Sequence, residues 1–246
     1  MSPSPSERSG RLGVGIIGAG HVGPVLGAAL AGAGHAIVGI AAVSERNRDR
    51  ARAMLTEVPI LEIPELIERS ELVILAIPED QIEQLVSGLA ATGAWQPGQL
   101  VLHTAPGLGV GALAAATAAG VIPLAVHPAL PFTGTSMDLV RLRESYCAVT
   151  APTPVLPIGQ ALVVEMGAEP IVVAEGDRAA YAEAIATATS FSTAIVAQSV
   201  ALLNDIGVDA PGAVLGPLVR ASVENALQAA TPDASLDELP NLFADD

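Results

Sequence analysis

The sequence predicts an α/β fold, in which a doubly wound, mostly parallel sheet is followed by a smaller all-helical C-terminal domain. Up to residue 174, short continuous apolar segments alternate with segments of helical period, which is typical of parallel strands that helices cover on both faces. Beyond residue 175 the pattern changes to long helices. We therefore expect a disordered tail at 1–10, a sheet domain at 11–174 and a helical domain at 175–246.

The spacing of apolar residues, and the glycines and prolines that separate the apolar segments, define the predicted elements in chain order. The first strand is a continuous apolar run that ends at a glycine-rich turn, and helical period begins directly after that turn. Predicted strands lie at 12–17, 36–43, 72–77, 100–103, 121–126, 146–150 and 170–173. Predicted helices lie at 21–33, 46–56, 79–91, 110–119, 155–166, 177–203 and 213–230.

Composition restricts the possible functions. A chain of 246 residues with 51% hydrophobic residues can bury a full core, and its net charge of −15 argues against a nucleic-acid partner. All 11 basic residues are arginine, so Schiff-base chemistry and lysine general acids are excluded. The single cysteine, Cys147, cannot form an intramolecular disulfide, which fits a reducing cytoplasm. We expect no metal site.

Two apolar segments imitate membrane signals. Residues 12–33 follow Arg8 and Arg11 as the apolar part of a signal peptide would, but the spacing of their glycines has no place in such a peptide. Residues 184–204 carry no charge and are long enough to span a bilayer. Their many serine and threonine side chains suit a helix buried inside a domain or a dimer interface better than one facing lipid. We therefore expect no membrane association.

A glycine-rich turn, VGIIGAGHVG, follows the first predicted strand and opens the first helix. Gly18, Gly20 and Gly23 have the GxGxxG spacing, in the strand–turn–helix context that makes this motif informative. The first allows a tight turn, the second lets the backbone approach a pyrophosphate, and the third lets the helix pack on the strand. We interpret the turn as a dinucleotide-binding site of Rossmann type rather than as glycine-rich packing. The GLGVG segment at Gly107 does not have this spacing.

The end of the second strand indicates which dinucleotide is bound. Ser44, Arg46 and Arg48 supply the hydroxyl and cationic donors that a 2′-phosphate requires. Glu45 could instead hold a ribose hydroxyl, and a solvated helix start is the structural alternative. We expect NADP, with NAD as the alternative. The expected cofactor site consists of Gly18, Ala19, Gly20, His21, Val22, Gly23, Ser44, Arg46, Arg48, Ala76, Ile77 and Pro78.

Residues 84–137 contain no aspartate, glutamate, lysine or arginine. Only His103 and His127 can titrate there near neutral pH, and both fall at the C-terminal ends of predicted strands, where open α/β sheets bind ligands. For either histidine taken alone, a structural role with one good hydrogen bond remains the simpler interpretation. The prolines of HPALPFTGT likewise suit a rigid loop.

Several segments together resemble a known family. VGIIGAGHVGPVLGAALAGAGH, LHTAPG, HPALPFTGTSMDL and LLNDIGVDAPGAVLGPLVRASVENAL are similar to the Rossmann-like oxidoreductases that carry a C-terminal domain of unknown function 2520. The resemblance covers about residues 12–227. It implies the fold of the 6-phosphogluconate-dehydrogenase-like superfamily, with pyrroline-carboxylate reductases, prephenate dehydrogenases and imine reductases as distant relatives.

The chain departs from this family at two places. The family usually has His-Thr-Ser-Gly where this chain has His103, Thr104, Ala105 and Pro106, and it tends to have Asn-His at Ser190 and Phe191. Hydroxyacid dehydrogenases of the superfamily use a lysine beside the substrate carbonyl, and this chain has none. The proton donor is therefore expected to be a histidine or an ordered water.

The resulting hypothesis is an NADP-dependent oxidoreductase that transfers hydride to or from a small carbonyl, imine or hydroxyacid. His127 is the first candidate for the proton donor, followed by His103 and then Tyr181. Expected substrate contacts are Thr104, Thr133, Gly134 and Ser190. We expect a cytoplasmic homodimer formed through the C-terminal helices. A non-catalytic NADP-binding sensor and a scaffold without nucleotide remain open.

Overall fold

The computed structural model describes residues 11–230, so the tail expected at 1–10 lies outside the described residues. Contacts between residues group the chain into two compact units, Met1–Ala186 and Thr187–Asp246. The first unit contains the sheet, and the boundary falls inside a long helix. The domain boundary at 174/175 stays a prediction.

One sheet organises the described part of the first unit. Its strands are β1 (Gly13–Ile17), β2 (Ala36–Ala41), β3 (Leu72–Leu75), β4 (Leu100–His103), β5 (Ile122–Pro128), β6 (Tyr146–Thr150) and β7 (Glu169–Val172). They lie in the order β2-β1-β3-β4-β5-β6-β7, and every neighbouring pair is parallel except β5 and β6. The predicted doubly wound, mostly parallel sheet is confirmed.

Helices connect most of the parallel strands. They are α1 (Gly23–Gly32), α2 (Glu45–Met54), α3 (Ile63–Glu68), α4 (Glu79–Ala91), α5 (Ala114–Ala118), α6 (Met137–Leu142), α7 (Leu156–Glu165), α8 (Arg178–Asp205) and α9 (Pro211–Ala230). The helix predicted at 110–119 is a 3₁₀ helix (Val110–Leu113) followed by α5. Neither α3 nor α6 was predicted, because six residues make fewer than two turns and show no clear helical period.

Two apolar clusters cover the opposite faces of the sheet. Ile16 and Ile74 belong to the cluster that contains side chains of α1 and α7, whereas Ile17 and Val73 belong to the cluster that contains side chains of α3 and α4. Successive side chains of a strand point to opposite faces, so both faces of β1 and β3 are buried. This double burial is the reason why the strands read as continuous apolar runs.

The second unit exposes large apolar side chains on α8 and α9. Phe191, Leu202 and Leu218 are 64%, 61% and 64% exposed. The expectation that residues 184–204 are buried inside a single-chain domain is therefore wrong, and the dimer-interface interpretation stays a prediction. Among residues 11–230, the helical stretch Glu175–Asp205 is long and apolar enough to cross a membrane, which by itself is weak evidence.

The sheet brings the candidate residues to one edge. The C-terminal ends of the parallel strands β1, β2, β3, β4 and β5 meet there, and the chain order reverses around β1. Such a switch point leaves a crevice in which open α/β sheets bind their ligands. The glycine-rich turn follows β1 at this edge, and the two candidate histidines lie in β4 and β5.

Candidate active site

The turn between β1 and α1 has the geometry of a phosphate cradle. Gly18 has φ +108°, and a Cβ there would collide with the carbonyl oxygen of Ala76. A Cβ at Gly23 would collide with the carbonyl oxygen of Gly18, so α1 packs directly on the turn. In contrast, a Cβ placed on Gly20 has no atom of residues 11–230 within 4 Å other than those of Gly20 and its two chain neighbours. The turn is therefore tight on its inner side and open over Gly20.

Within residues 11–230, the N-terminus of α1 has no side-chain cap. Val22 precedes the helix in αR conformation and makes no side-chain capping hydrogen bond. Free backbone N–H groups and the positive end of the helix dipole favour an anion at this position. The turn therefore fits the pyrophosphate of a dinucleotide. Ala76, which follows β3 and begins the expected Ala76–Pro78 contact, adjoins the turn through its contact with Gly18.

The start of α2 holds the residues expected to select the 2′-phosphate. The Ser44 hydroxyl caps α2 by accepting a hydrogen bond from the backbone N–H of Asn47 (3.3 Å). Arg48 donates to the carbonyl oxygen of Ala42 (3.3 Å) and pairs with Glu45 (3.4 Å). Within residues 11–230, Arg46 has no hydrogen-bond or ion-pair partner. Of the two expected arginines, only Arg46 is therefore unengaged.

Arg50 was missed by the sequence analysis. Its Nη1 donates to the carbonyl oxygen of Ala19 in the glycine-rich turn (3.4 Å) and to Oδ1 of Asn47 (3.2 Å). The spacing from Arg46 to Arg50 places both on neighbouring positions of one helix face, and this was the signal that could have indicated Arg50. Its proximity to the turn depends on the packing of α2 against α1.

A buried carboxylate organises the loop at 131–135. Asp138, in the first turn of α6, accepts hydrogen bonds from the N–H of Thr133 (2.8 Å), the N–H of Gly134 (2.7 Å) and the hydroxyl of Thr133 (2.9 Å). Burial opposes its ionisation, but these bonds outweigh burial and hold the pKa of Asp138 below its ordinary value. The donors of Thr133 and Gly134 that were expected to face substrate are therefore already engaged. Asp138 was not predicted.

His127 lies near the end of β5 and is partly buried. A hydrogen bond of 2.9 Å joins its Nδ1 to the hydroxyl of Tyr181, and the two rings meet edge to face with centroids 5.6 Å apart. Burial, and then the charge of Arg178, lower the pKa of His127 to about 4. The structure thus brings together the first and third candidates for the proton donor, and it keeps the histidine neutral at pH 7.

Arg178, the first residue of α8, is 1% exposed and was also missed. Its Nε donates to the hydroxyl of Thr150 (2.7 Å), and its Nη2 donates to the carbonyl oxygens of Ala125 (2.8 Å) and Ala148 (3.1 Å). Nη1 is buried and has no hydrogen-bond partner in the part of the chain that the structure describes. The guanidinium lies 6.0 Å from the ring centroid of Tyr181, so a buried positive charge lies behind the His127–Tyr181 pair.

His103, the last residue of β4, is fully buried. Its Nε2 donates to the carbonyl oxygen of Gly109 (2.9 Å), and its Nδ1 accepts from the N–H of Ala105 (3.3 Å). Burial is the largest cause that lowers its pKa to about 4. Both ring nitrogens therefore bind backbone, which is the structural role weighed against catalysis in the sequence. Thr104 makes a long contact of 3.5 Å to the carbonyl oxygen of Leu75.

The second glycine-rich segment is filled by the chain itself. The carboxylate of Glu175 accepts hydrogen bonds from the N–H groups of Val110 (2.8 Å) and Gly111 (2.9 Å), and a Cβ on Gly109 would collide with it. These glycines therefore accommodate Glu175 rather than a nucleotide.

The remaining candidates lie apart from these groups. Ser190 lies on α8 in the second unit. Cys147 is buried in β6, and burial raises the pKa of its thiol to about 12. In the part of the chain that the structure describes, no three histidine, cysteine, aspartate or glutamate side chains come together as metal ligands.

Two family models match the chain. Residues 2–128 match the Rossmann-like domain, and residues 145–236 match a domain of unknown function, DUF2520. The resemblance inferred from the motifs is thereby confirmed. No curated protein matches the chain.

Solved structures with a similar fold include several reductases. 1-Pyrroline-5-carboxylate reductase from Streptococcus pyogenes is 17% identical, with a TM-score of 0.67 over 96% of this chain and 86% of that one. An imine reductase from Streptomyces aurantiacus is 17% identical, with a TM-score of 0.67 over 89% and 75%. Pyrroline carboxylate reductase from Plasmodium falciparum, solved with NADP bound, is 12% identical, with a TM-score of 0.65 over 91% and 80%. At these identities the likeness shows the fold.

The two depressed histidine pKa values predict how stability depends on pH. His103 and His127 titrate near 4 in the folded chain, against an ordinary value of 6.5. Between these values the unfolded chain binds more protons, so the free energy of unfolding decreases as pH falls from about 6.5 to about 4. Each histidine contributes a slope of up to about 1.4 kcal/mol per pH unit. Urea titrations at pH 7, 6, 5 and 4.5, followed by the fluorescence of Trp95, measure the free energy of unfolding and therefore this slope.

The substitution His103→Gln locates the origin of this slope. It is expected to reduce the slope, because it removes one of the two buried histidines. The same slope in His103→Gln as in the natural chain would contradict the assignment to buried neutral histidines.

Proposed function

Because the chain belongs to the Rossmann-like domain family, we propose that it is an NADP-dependent oxidoreductase that transfers hydride to or from a small carbonyl, imine or hydroxyacid. Reductases from Streptococcus pyogenes and Streptomyces aurantiacus share its fold, which supports a reaction of this class. The observation that carries the proposal is the glycine-rich turn, which is closed around Gly18 and Gly23 and open over Gly20.

The α2 segment supports NADP over NAD. In NAD sites an acidic residue at the end of the second strand binds the ribose diol, and Glu45 is the candidate here. Glu45 already pairs with Arg48 (3.4 Å) and Arg52 (3.1 Å), while the unengaged Arg46 can donate to a 2′-phosphate. The glycine-rich turn would hold the pyrophosphate, and Ala76–Pro78 would line the cofactor site at the end of β3.

The His127–Tyr181 pair is the proposed proton source. A bound reduced nicotinamide would supply the hydride, and the developing alkoxide or amine then requires a proton. With a pKa of about 4, His127 is a neutral imidazole at pH 7, so it is not an imidazolium donor. Burial raises the pKa of Tyr181, so its hydroxyl is protonated. In the tautomer in which Nδ1–H of His127 donates to the Tyr181 oxygen, the hydroxyl proton of Tyr181 is free to pass to substrate, and His127 orients the hydroxyl.

An NADP-binding protein without catalysis is the second candidate. It is favoured by the environment of His103, whose ring nitrogens both bind backbone, and by Ala105 and Pro106, which provide no hydroxyl to a substrate. Stoichiometric binding of NADPH without turnover on a panel of carbonyls and imines would identify this function.

We also propose a cytoplasmic homodimer formed through the C-terminal helices. The exposed apolar side chains of α8 and α9 make a surface that a water-soluble chain is expected to cover. A two-fold interface buries the same patch of both subunits. The single buried cysteine suits a reducing compartment.

Arg46 provides the test of cofactor identity. Arg46→Ala is expected to weaken NADPH binding about tenfold or more, since a charge-assisted hydrogen bond contributes roughly 1.5–3 kcal/mol, and to change NADH binding little. Isothermal titration calorimetry with both nucleotides measures the difference. Equal losses for NADPH and NADH would reject the assignment of Arg46 to the 2′-phosphate, and absence of binding to the unsubstituted chain would reject the proposed function.

Tyr181 and His127 provide the test of the proton source. Tyr181→Phe removes the hydroxyl but keeps the ring, and it is expected to lower kcat about 100-fold or more, the usual size of a general-acid contribution. His127→Asn is also expected to lower kcat, and neither variant changes NADPH affinity. Steady-state kinetics and NADPH titrations measure both quantities. Full kcat in Tyr181→Phe would contradict the role of its hydroxyl.

The oligomeric state can be measured directly. Light scattering is expected to give the mass of a dimer. Phe191→Glu, on the exposed face of α8, is expected to shift the measured mass toward that of the monomer, because a carboxylate is costly to bury. Tyr146→Glu, which changes an exposed side chain of β6, serves as the control. A monomer mass that does not change with concentration would contradict the proposal.

A further inference from the structure

A groove of about 630 Å³ in the second unit is lined by residues of both α8 and α9. Ser192 of α8 forms one side, and Val219, Val223 and Leu227 of α9 supply its large apolar side chains. These three recur every four residues, so they form one stripe along about two turns of α9. Val223 and Leu227 are exposed. A groove of this volume is in the range of pockets that bury a whole ligand, roughly 300–1,000 Å³, so it can accept several apolar side chains.

One positive charge borders the groove. Arg220 lines it and is the only basic residue between positions 187 and 230. Among residues 11–230 its guanidinium has no hydrogen-bond or ion-pair partner, although Glu224 lies one helical turn later and also lines the groove. A guanidinium without a counter-charge favours a carboxylate. The groove therefore fits an occupant that is both apolar and acidic.

The chain supplies a segment of this chemistry directly after α9. Residues 231–246, TPDASLDELPNLFADD, which we call the acidic segment, contain five acidic residues and no basic residue. The segment also contains four large apolar side chains, those of Leu236, Leu239, Leu242 and Phe243. Its composition therefore complements an apolar groove that carries one positive charge.

The acidic segment is long enough to return along α9. The stripe begins at Val219 and ends at Leu227, which lie 11 and three residues before Ala230, the last residue of α9. At about 1.5 Å per residue, the stripe lies roughly 4.5–16.5 Å from that end of the helix. Sixteen extended residues span up to about 53 Å. Attachment to α9 gives the segment an effective concentration of about millimolar, which favours it over a separate partner.

We propose that the acidic segment folds back onto the groove of its own chain, with its leucine and phenylalanine side chains over the apolar stripe and its carboxylates around Arg220. This inference goes beyond the proposed reaction and does not depend on it. Phe191 and Leu218 do not line the groove, so they remain available to the proposed dimer interface. The acidic segment is then an intramolecular cover that keeps the groove from associating with other apolar surfaces.

Two cysteines introduced into the full chain test this contact. Val223→Cys is combined with Leu239→Cys, and mild oxidation with copper phenanthroline is followed by non-reducing electrophoresis. A disulfide requires Cα atoms within about 7 Å of each other, and the natural Cys147 is buried. The control combines Leu239→Cys with Ile206→Cys, because Ile206 is exposed but does not line the groove. We expect the Val223 pair to form a disulfide within one chain about tenfold faster or more than the control pair.

The size of the oxidised product distinguishes the possible occupants of the groove. A product with the mass of a single chain, formed faster than in the control, supports the proposal. A product that joins two chains assigns the groove to a second copy and overturns the proposal. Equal rates for the two cysteine pairs, or no disulfide within one chain, also overturn it.

Two charge substitutions in the Val223→Cys and Leu239→Cys chain test the role of Arg220. Arg220→Gln is expected to slow formation of the disulfide about twofold to fivefold, as loss of an exposed ion pair predicts, and the difference is expected to disappear in 1 M salt. Glu224→Gln removes a charge of the same sign as the acidic segment from the same helix, so it is expected not to slow the reaction. Equal rates for Arg220→Gln and Glu224→Gln overturn the pairing of the acidic segment with Arg220.

Discussion

The hydrogen bonds of the buried Arg178 guanidinium are the interactions on which the arrangement of His127 and Tyr181 depends. They attach the first turn of α8 to β5 and β6 through the hydroxyl of Thr150 and the carbonyl oxygens of Ala125 and Ala148. An arginine buried without a carboxylate partner costs several kcal/mol of desolvation, and three hydrogen bonds offset part of that cost. Because Tyr181 lies one helical turn after Arg178, the same attachment brings its hydroxyl to His127.

The buried charge also sets the chemistry of its neighbours. It adds to burial in lowering the pKa of His127 and His103, so both imidazoles are neutral at physiological pH. A neutral imidazole orients a hydroxyl but donates a proton poorly, and for this reason Tyr181 is the proposed donor. The position of a histidine at a strand end is therefore insufficient to infer acid catalysis, because its protonation state depends first on burial and then on charges from distant segments.

The glycine-rich side of the edge, where we propose that the nucleotide binds, is built on a different principle. The turn after β1 is built mainly from backbone: it uses a left-handed glycine, a close helix approach and a helix N-terminus without a side-chain cap. Arg50 of α2 reaches the turn from outside. The turn is formed by neighbouring residues, whereas Arg50 reaches it from another element. For this reason the glycine spacing was recognisable in the sequence and Arg50 was not.

The sequence by itself determined the alternating strands and helices, the glycine-rich turn and the placement of His103 and His127 at strand ends. These features follow from the periodic spacing of apolar residues and from the φ angles that glycine permits. Both depend on residues that are close together in the sequence. Only the tertiary structure decided the partners of Arg178, Arg50 and Asp138, and it moved the uncharged helix at 184–204 from the core to the surface of the chain. Hydrogen bonds between distant segments, such as those of Arg178 with Ala125 and Ala148, which lie 53 and 30 residues away, leave no periodic trace in the sequence, because they depend on how the elements pack.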